Sequence, residues 1–330
     1  MNRLLILVLV GGLSGPALCS SLGPDPAKLR LMSANALVFD ADAQRPLYAK
    51  AADEVTPIAS LTKLMTAMVV LDAGQADDEM ISIATDDFDY LKGSRSRLRM
   101  GTVLPRRELL RLALMSSENR AASALARHYP GGTPTFVAAM NAKAASLQMT
   151  HTHYADSTGL SAENVSTAND LARLVQAAAQ YPRIREFSTT PAHFVELQPT
   201  GQLLGFNNSN ALVKKQSWDI HLQKTGYIRE AGRCLVMLAT IASKPFVIVL
   251  LDSYGKYTRL GDAERVKHWL ETGEALTATA AGPSHRYHGS FGPRQKQAVR
   301  ISFSTHPSRG GVYTVKLTQP KPTKARKHRV

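Results

Sequence analysis

Cysteine is nearly absent from this chain of 330 residues, which has two. The first, Cys19, lies in an N-terminal stretch read below as cleavable. Cys234 is then alone, so no internal disulfide braces the fold. It sits in the apolar run Cys234-Leu235-Val236-Met237-Leu238 and reads as a small core residue, not a reactive thiol. The chain has no His-Glu-x-x-His, which leaves a zinc peptidase unsupported. His151 and His153 stand two apart with no third ligand nearby and read as surface histidines. No metal and no cofactor is expected. No internal repeat is evident. Acidic side chains are missing from residues 281–330, which carry eleven Lys or Arg.

That last absence explains the net charge of +14. Without residues 281–330 the balance is only +3, so the body is near neutral and the end is a polycation. A polycation binds polyanions without specificity. At the other end, Arg3 precedes the apolar run 4–10 and the small-residue stretch 11–20. This reads as a secretory signal peptide, residues 1–20, too short to span a membrane. Cleavage is placed near Ala17-Leu18-Cys19 or just after Ser20. A lipid anchor at Cys19 is the lesser reading, because Leu18 is bulky for the residue before such a cysteine. For an exported protein the available polyanions are cell-wall polymer and lipid head groups, not nucleic acid. The expected location is the periplasm, soluble or peripheral to the membrane. The composition shift after Glu274 sets a main domain of 21–273 and a basic, mostly flexible tail of 274–330. The tail lacks the apolar stripe of a membrane-surface helix.

The stretch 58–71 organises the body. Pro57 suits a helix start, and from Leu64 to Leu71 almost every side chain is apolar, so the helix is expected to be wrapped by protein. Ser60 and Lys63 share one face near its beginning. A serine hydroxyl is a weak nucleophile until a base takes its proton. A lysine serves as that base only when burial, a second cation or a helix N-terminus lowers its pKa. Ser-x-x-Lys alone proves little: Ser253-Tyr-Gly-Lys256 fits it too, in a poorer context.

Around this stretch, 36–40 and 46–50 read as a hairpin. Asp77 to Glu79 and Asp86-Asp87 mark an acidic surface loop. Helices are expected over 104–115, 121–128, 133–148 with Thr133 as N-cap, 167–179 with Thr167 and Asp170 as a capping box, and 260–270. Ser117 and Asn119 fall in the tight connection between the first two of these; Ser117 also reads as a simple helix cap. Residues 187–210 read as loop and short strand. Strands are expected over 218–223, running into Lys224-Thr225-Gly226, and over 235–241 and 245–251.

In order, then, the chain presents Ser60-x-x-Lys63, Ser117-x-Asn119 and Lys224-Thr225-Gly226. Each is weak alone, and Ser33-Ala-Asn35 fits the second pattern by accident. Their order, spacing and contexts together resemble the penicillin-recognising serine enzymes that share a fold with class A β-lactamases. The runs 58–73 and 112–122, with His128-Tyr-Pro-Gly-Gly132 and Gly255-Lys-Tyr-Thr258, look like D-alanyl-D-alanine endopeptidases of the penicillin-binding protein 7 type, over about residues 34–273.

The resemblance implies an α+β fold of the β-lactamase/transpeptidase kind, with an antiparallel sheet flanked by helices and an adjoining mostly helical subdomain. It implies that Ser60 forms an acyl-enzyme with a D-alanyl carbonyl, that Lys63 is the base, and that Ser117 relays a proton to the leaving amine. Asn119 would hold the substrate backbone and Thr225 its carboxylate, while Lys224 supplies positive potential. Gly226 lets the strand approach closely, and the amides of Ser60 and Tyr227 form the oxyanion hole. Two lysines in one cleft depress each other's pKa, so one can stay neutral as a base while the other stays charged. The implied substrates are peptidoglycan stem peptides, with β-lactams as covalent inhibitors. A DD-endopeptidase, a DD-carboxypeptidase, a β-lactamase and an inert wall-binding protein are the competing functions. A β-lactamase needs a carboxylate to drive water onto the ester. Glu163 is the candidate, but Thr167 stands where class A enzymes carry Asn, so slow deacylation is expected.

Overall fold

The computed structural model describes residues 23–276. The expected signal peptide, 1–20, and nearly all of the expected tail, 274–330, lie outside the described residues.

Strands β1 (Asn35–Asp40) and β2 (Arg45–Lys50) form the expected hairpin. After the two-residue β3 (Thr56–Pro57), a 3-10 turn over Ala59–Thr62 leads into helix α1 (Lys63–Asp72). Every residue from Lys63 to Val70 is buried, which is why the stretch carries no polar face. Pro57 does not start this helix. It pairs with Val165, and Ala59 takes a left-handed φ of 49°, so helical geometry cannot begin until the turn is past.

Strands β4 (Met80–Ser82) and β5 (Val103–Pro105) pair with each other. Helices α2 (Arg106–Met115), α3 (Asn119–Arg127) and α4 (Gly132–Ser146) follow. Next come β6 (Val165–Ser166), α5 (Ala168–Ala178) and α6 (Pro182–Thr189). The hairpin of β7 (Ala192–Leu197) and β8 (Gln202–Asn207) precedes three long strands, β9 (Asp219–Ile228), β10 (Gly232–Ile241) and β11 (Lys244–Ser253). Helix α7 (Thr258–Thr272) closes the described chain, with Gly273 in the left-handed conformation at its end.

The main sheet runs β2-β1-β11-β10-β9, with every neighbour antiparallel. Both faces are covered. On one, Val38, Met237 and Ile248 pack with Val266 and Trp269 of α7. On the other, Leu37, Val236, Val247 and Val249 join a core shared with α1, α2, α3 and α5. Two covered faces explain why residues 246–251 read as a continuous apolar run. This is the α+β architecture the resemblance implied. It leaves β9 at the sheet edge, against the helical layer.

Several local expectations are corrected. Thr133 lies inside α4; the N-cap is Gly131, whose φ of 84° suits glycine. Asp87 is buried, accepting hydrogen bonds from Arg127 and Ser123, so the acidic stretch is not wholly surface. Residues 182–189 are helical, a start that Pro182 signals. Ser117 is no cap: Glu118 holds the N-cap position of α3, and Ser117 itself has φ 63°. Thr167 does cap α5, accepting from the amide of Asp170.

Candidate active site

The edge strand, the 3-10 turn and the α2–α3 connection meet at one cleft. Ser60 lies in the turn, so its hydroxyl stands at the head of the buried helix. Lys63, one turn on, has its Nζ 2.9 Å from Ser60 Oγ, 2.7 Å from Asn119 Oδ1 and 2.6 Å from the Thr158 carbonyl. As an ammonium it donates to all three. As an amine it keeps two donors and turns a lone pair toward Ser60. Burial holds its pKa down to about 7, against the pull of Asp156, Glu118 and Asp89.

On the other side, Lys224 of β9 donates to Ser117 Oγ at 2.8 Å and to its neighbour's carbonyl, Thr225 O, at 2.9 Å. It is fully buried, and burial lowers its pKa well below the ordinary value, helped by the cations Lys63 and Arg259. The carboxylates act on Lys63. Both lysines are thus held below their ordinary range, each by burial first. Thr225 Oγ1 bonds Ser209 Oγ at 2.7 Å. At Gly226 a Cβ would come 3.0 Å from Ile58 O and 3.1 Å from the Ser60 nitrogen, so β9 reaches the nucleophile turn only as glycine. Tyr227 is 57% exposed, with Arg233 stacked on its ring.

The open part of the site is a cleft of about 490 Å³. Ser60 and Asn119 line it, with Leu91, Lys92 and Ser94 from one segment and the end of β9 from another.

Some residues of the site escaped sequence reasoning. Asp156 accepts from the amides of Thr158, Gly159 and Ser161 and from Asn164 Nδ2, shaping the loop whose carbonyl holds Lys63. Ser94 accepts from Asn119 Nδ2 at 2.8 Å. Arg259, at the start of α7, has Nε and Nη1 buried with no hydrogen-bond partner among the described residues. Its place just after the Gly255-Lys-Tyr-Thr258 run was the available signal. Glu163 is exposed, and its amide bonds Ser161 Oγ. Among the described residues no group of His, Cys, Asp or Glu is arranged to hold a metal. Cys234 is buried, and burial pushes its thiol up to about 12.

Residues 24–255 match the family model described as D-alanyl-D-alanine carboxypeptidase. The chain is 49% identical over 290 residues to a D-alanyl-D-alanine endopeptidase of Pseudomonas aeruginosa, covering 86% of this chain and 94% of that one. It is 45% identical over 256 residues to the Escherichia coli D-alanyl-D-alanine endopeptidase, covering 78% and 83%. Among solved structures, the Streptomyces K15 DD-transpeptidase superposes with a TM-score of 0.69 at 28% identity, over 74% of this chain and 98% of that one. Penicillin-binding protein D2 of Listeria monocytogenes, in its cefotaxime-bound form, gives 0.65 at 28% identity, over 73% and 98%. With a family match over most of its length and relatives this similar, the chain belongs to the D-alanyl-D-alanine carboxypeptidase family of serine peptidases.

Proposed function

We propose that this protein is a DD-endopeptidase that hydrolyses D-alanyl cross-links between peptidoglycan stems through an acyl-enzyme on Ser60. The observation that carries the reading is the bond between a buried, easily neutralised Lys63 amine and the Ser60 hydroxyl, in a cleft that also holds Ser117 and Lys224. Relatives named as endopeptidases support it.

Ser60 Oγ attacks the D-alanyl carbonyl carbon while Lys63 Nζ takes the hydroxyl proton. The amides of Ser60 and Tyr227 hold the oxyanion. Ser117, bonded to Lys224, relays the proton taken up by Lys63 to the leaving amine, the C–N bond breaks, and an ester remains with Lys63 neutral again. Water then hydrolyses the ester and restores the hydroxyl. Asn119 orients the substrate backbone. A substrate carboxylate beside Thr225 favours a charged Lys224, whose charge helps to keep Lys63 neutral when the base is needed. Arg259 adds positive potential there. β-Lactams acylate the same serine and leave it slowly.

Residues 1–20 direct export to the periplasm, 21–273 are the peptidase domain, and the basic 274–330 contacts anionic wall polymer or membrane surface. Among the described residues no helix is long and apolar enough to cross a membrane. The test is purified protein with a fluorescent penicillin and, separately, with a cross-linked muropeptide dimer and a free pentapeptide. Ser60 is labelled, the dimer is cut, and Ser60→Ala does neither. Cleavage of the pentapeptide alone makes the protein a DD-carboxypeptidase, the activity in the family's description. No adduct on Ser60 ends both readings.

A further inference from the structure

The mouth of the cleft is bridged by charge. Lys92 Nζ lies 2.6 Å from Glu230 Oε1, and both line the same cleft as Ser60. Lys92 comes from the segment on one side and Glu230 from the β9–β10 turn on the other. The Lys92 backbone is firmly held. Asp89 accepts from the amides of Leu91, Lys92 and Ser94 at 2.9, 2.8 and 2.8 Å. Ser94 is bonded to Asn119, and Ser96 donates to the buried carboxylate of Glu118. The Lys92 side chain, by contrast, bonds only to Glu230 among the described residues.

The two side chains are 31% and 41% exposed, the range in which ion pairs are weak. A ligand entering the mouth displaces such a pair easily. An uncharged ligand leaves an ammonium and a carboxylate facing each other across a partly dried cleft with neither satisfied. A cationic ligand replaces Lys92 opposite Glu230 and leaves Lys92 unpaired. Only a ligand with both charges close together replaces both halves. The Lys92 bond, first, and Arg229 hold the Glu230 carboxyl below its ordinary range.

We infer that Lys92 and Glu230 are specificity-determining residues, a clasp that selects stem peptides whose side chain ends in one carbon bearing both an ammonium and a carboxylate. This rests on the proposed peptidase reading.

The test uses three D-alanyl-D-alanine peptides that differ only in the preceding residue: 2,6-diaminopimelic acid, lysine or norleucine. The wild type is expected to favour the first over the last by roughly three- to tenfold in kcat/KM, the scale of partly exposed ion pairs. Lys92→Gln should erase the preference for diaminopimelyl over lysyl. Glu230→Gln should erase that for lysyl over norleucyl. Penicillin labelling of Ser60 should persist in both variants, which shows that each still folds a reactive cleft. A wild type without preference overturns the clasp. So do variants that slow all three peptides by one factor, which marks a purely mechanical latch. A wild type that neither labels with penicillin nor cuts any peptide overturns the peptidase reading itself, and the separate labelling readout tells that failure from the clasp's.

Discussion

Gly159 packs against Ala59 so closely that a Cβ on Gly159 would lie 2.0 Å from the Ala59 carbonyl oxygen and 2.8 Å from the Ser60 nitrogen. Gly159 itself has φ 80°. The loop that positions Lys63 through Thr158 O is thus wedged directly under the nucleophile turn. Gly159→Ala must strain a left-handed residue and push Ser60 outward. We expect a loss of about 3 kcal/mol in unfolding free energy and at least tenfold slower penicillin labelling. Denaturant melts and stopped-flow labelling measure the two; a variant with wild-type values in both refutes the wedge.

The pH dependence of acylation follows from Lys63. Its pKa of about 7 belongs to the unliganded protein. The second-order rate constant for β-lactam acylation reports free-enzyme ionisations. It should therefore rise with pH through about 7 and then level. Lys63→Arg, which cannot lose its proton, should abolish labelling at every pH. A rate flat from pH 5 to pH 9 in the wild type would count against Lys63 as base.

The same shift has a stability signature. Folded Lys63 titrates near 7 but unfolded lysine near 10.5, so between these values the unfolded chain binds more protons. Stability from this group therefore increases as pH rises from about 7 toward 10.5. Below 7 the full cost of a buried charge is present. Lys63→Met keeps the chain length and removes the charge, and should raise the melting temperature at pH 6 while flattening the slope above 7. Calorimetry at several pH values checks it; a variant less stable than wild type at pH 6 contradicts the buried-charge cost.

Much of this was legible from local patterns. The buried helix and the β10–β11 pair follow from periodicity and turn chemistry that a sequence displays directly, and the three motifs were legible through their resemblance to a known family. What stayed hidden depends on tertiary contact. Ala59 and Ser117 adopt left-handed backbones, which no propensity assigns to alanine or serine. Pro57 satisfies a helix-start rule but is claimed by a strand partner more than a hundred residues away. Asp87 looks like surface charge until Arg127 reaches it. Asp156 and Ser94 carry no motif, and their roles exist only because the chain returns to Lys63 and Asn119.

The fate of the β-lactam adduct is set by what can activate water. Glu163 is exposed, and its amide bonds the neighbouring Ser161. Asp156 exerts the strongest carboxylate field on Lys63, but both of its oxygens accept hydrogen bonds from its own loop. Using it as a base would dismantle the support of Thr158 and Lys63. The penicilloyl ester should therefore persist far longer than it takes to form, and Glu163→Gln should leave its hydrolysis rate unchanged within about twofold, as for a surface group. Intact-protein mass spectrometry over time measures the loss of the adduct. A Glu163→Gln variant that holds the adduct tenfold longer than wild type would make Glu163 the deacylating base and the protein a penicillin-destroying enzyme.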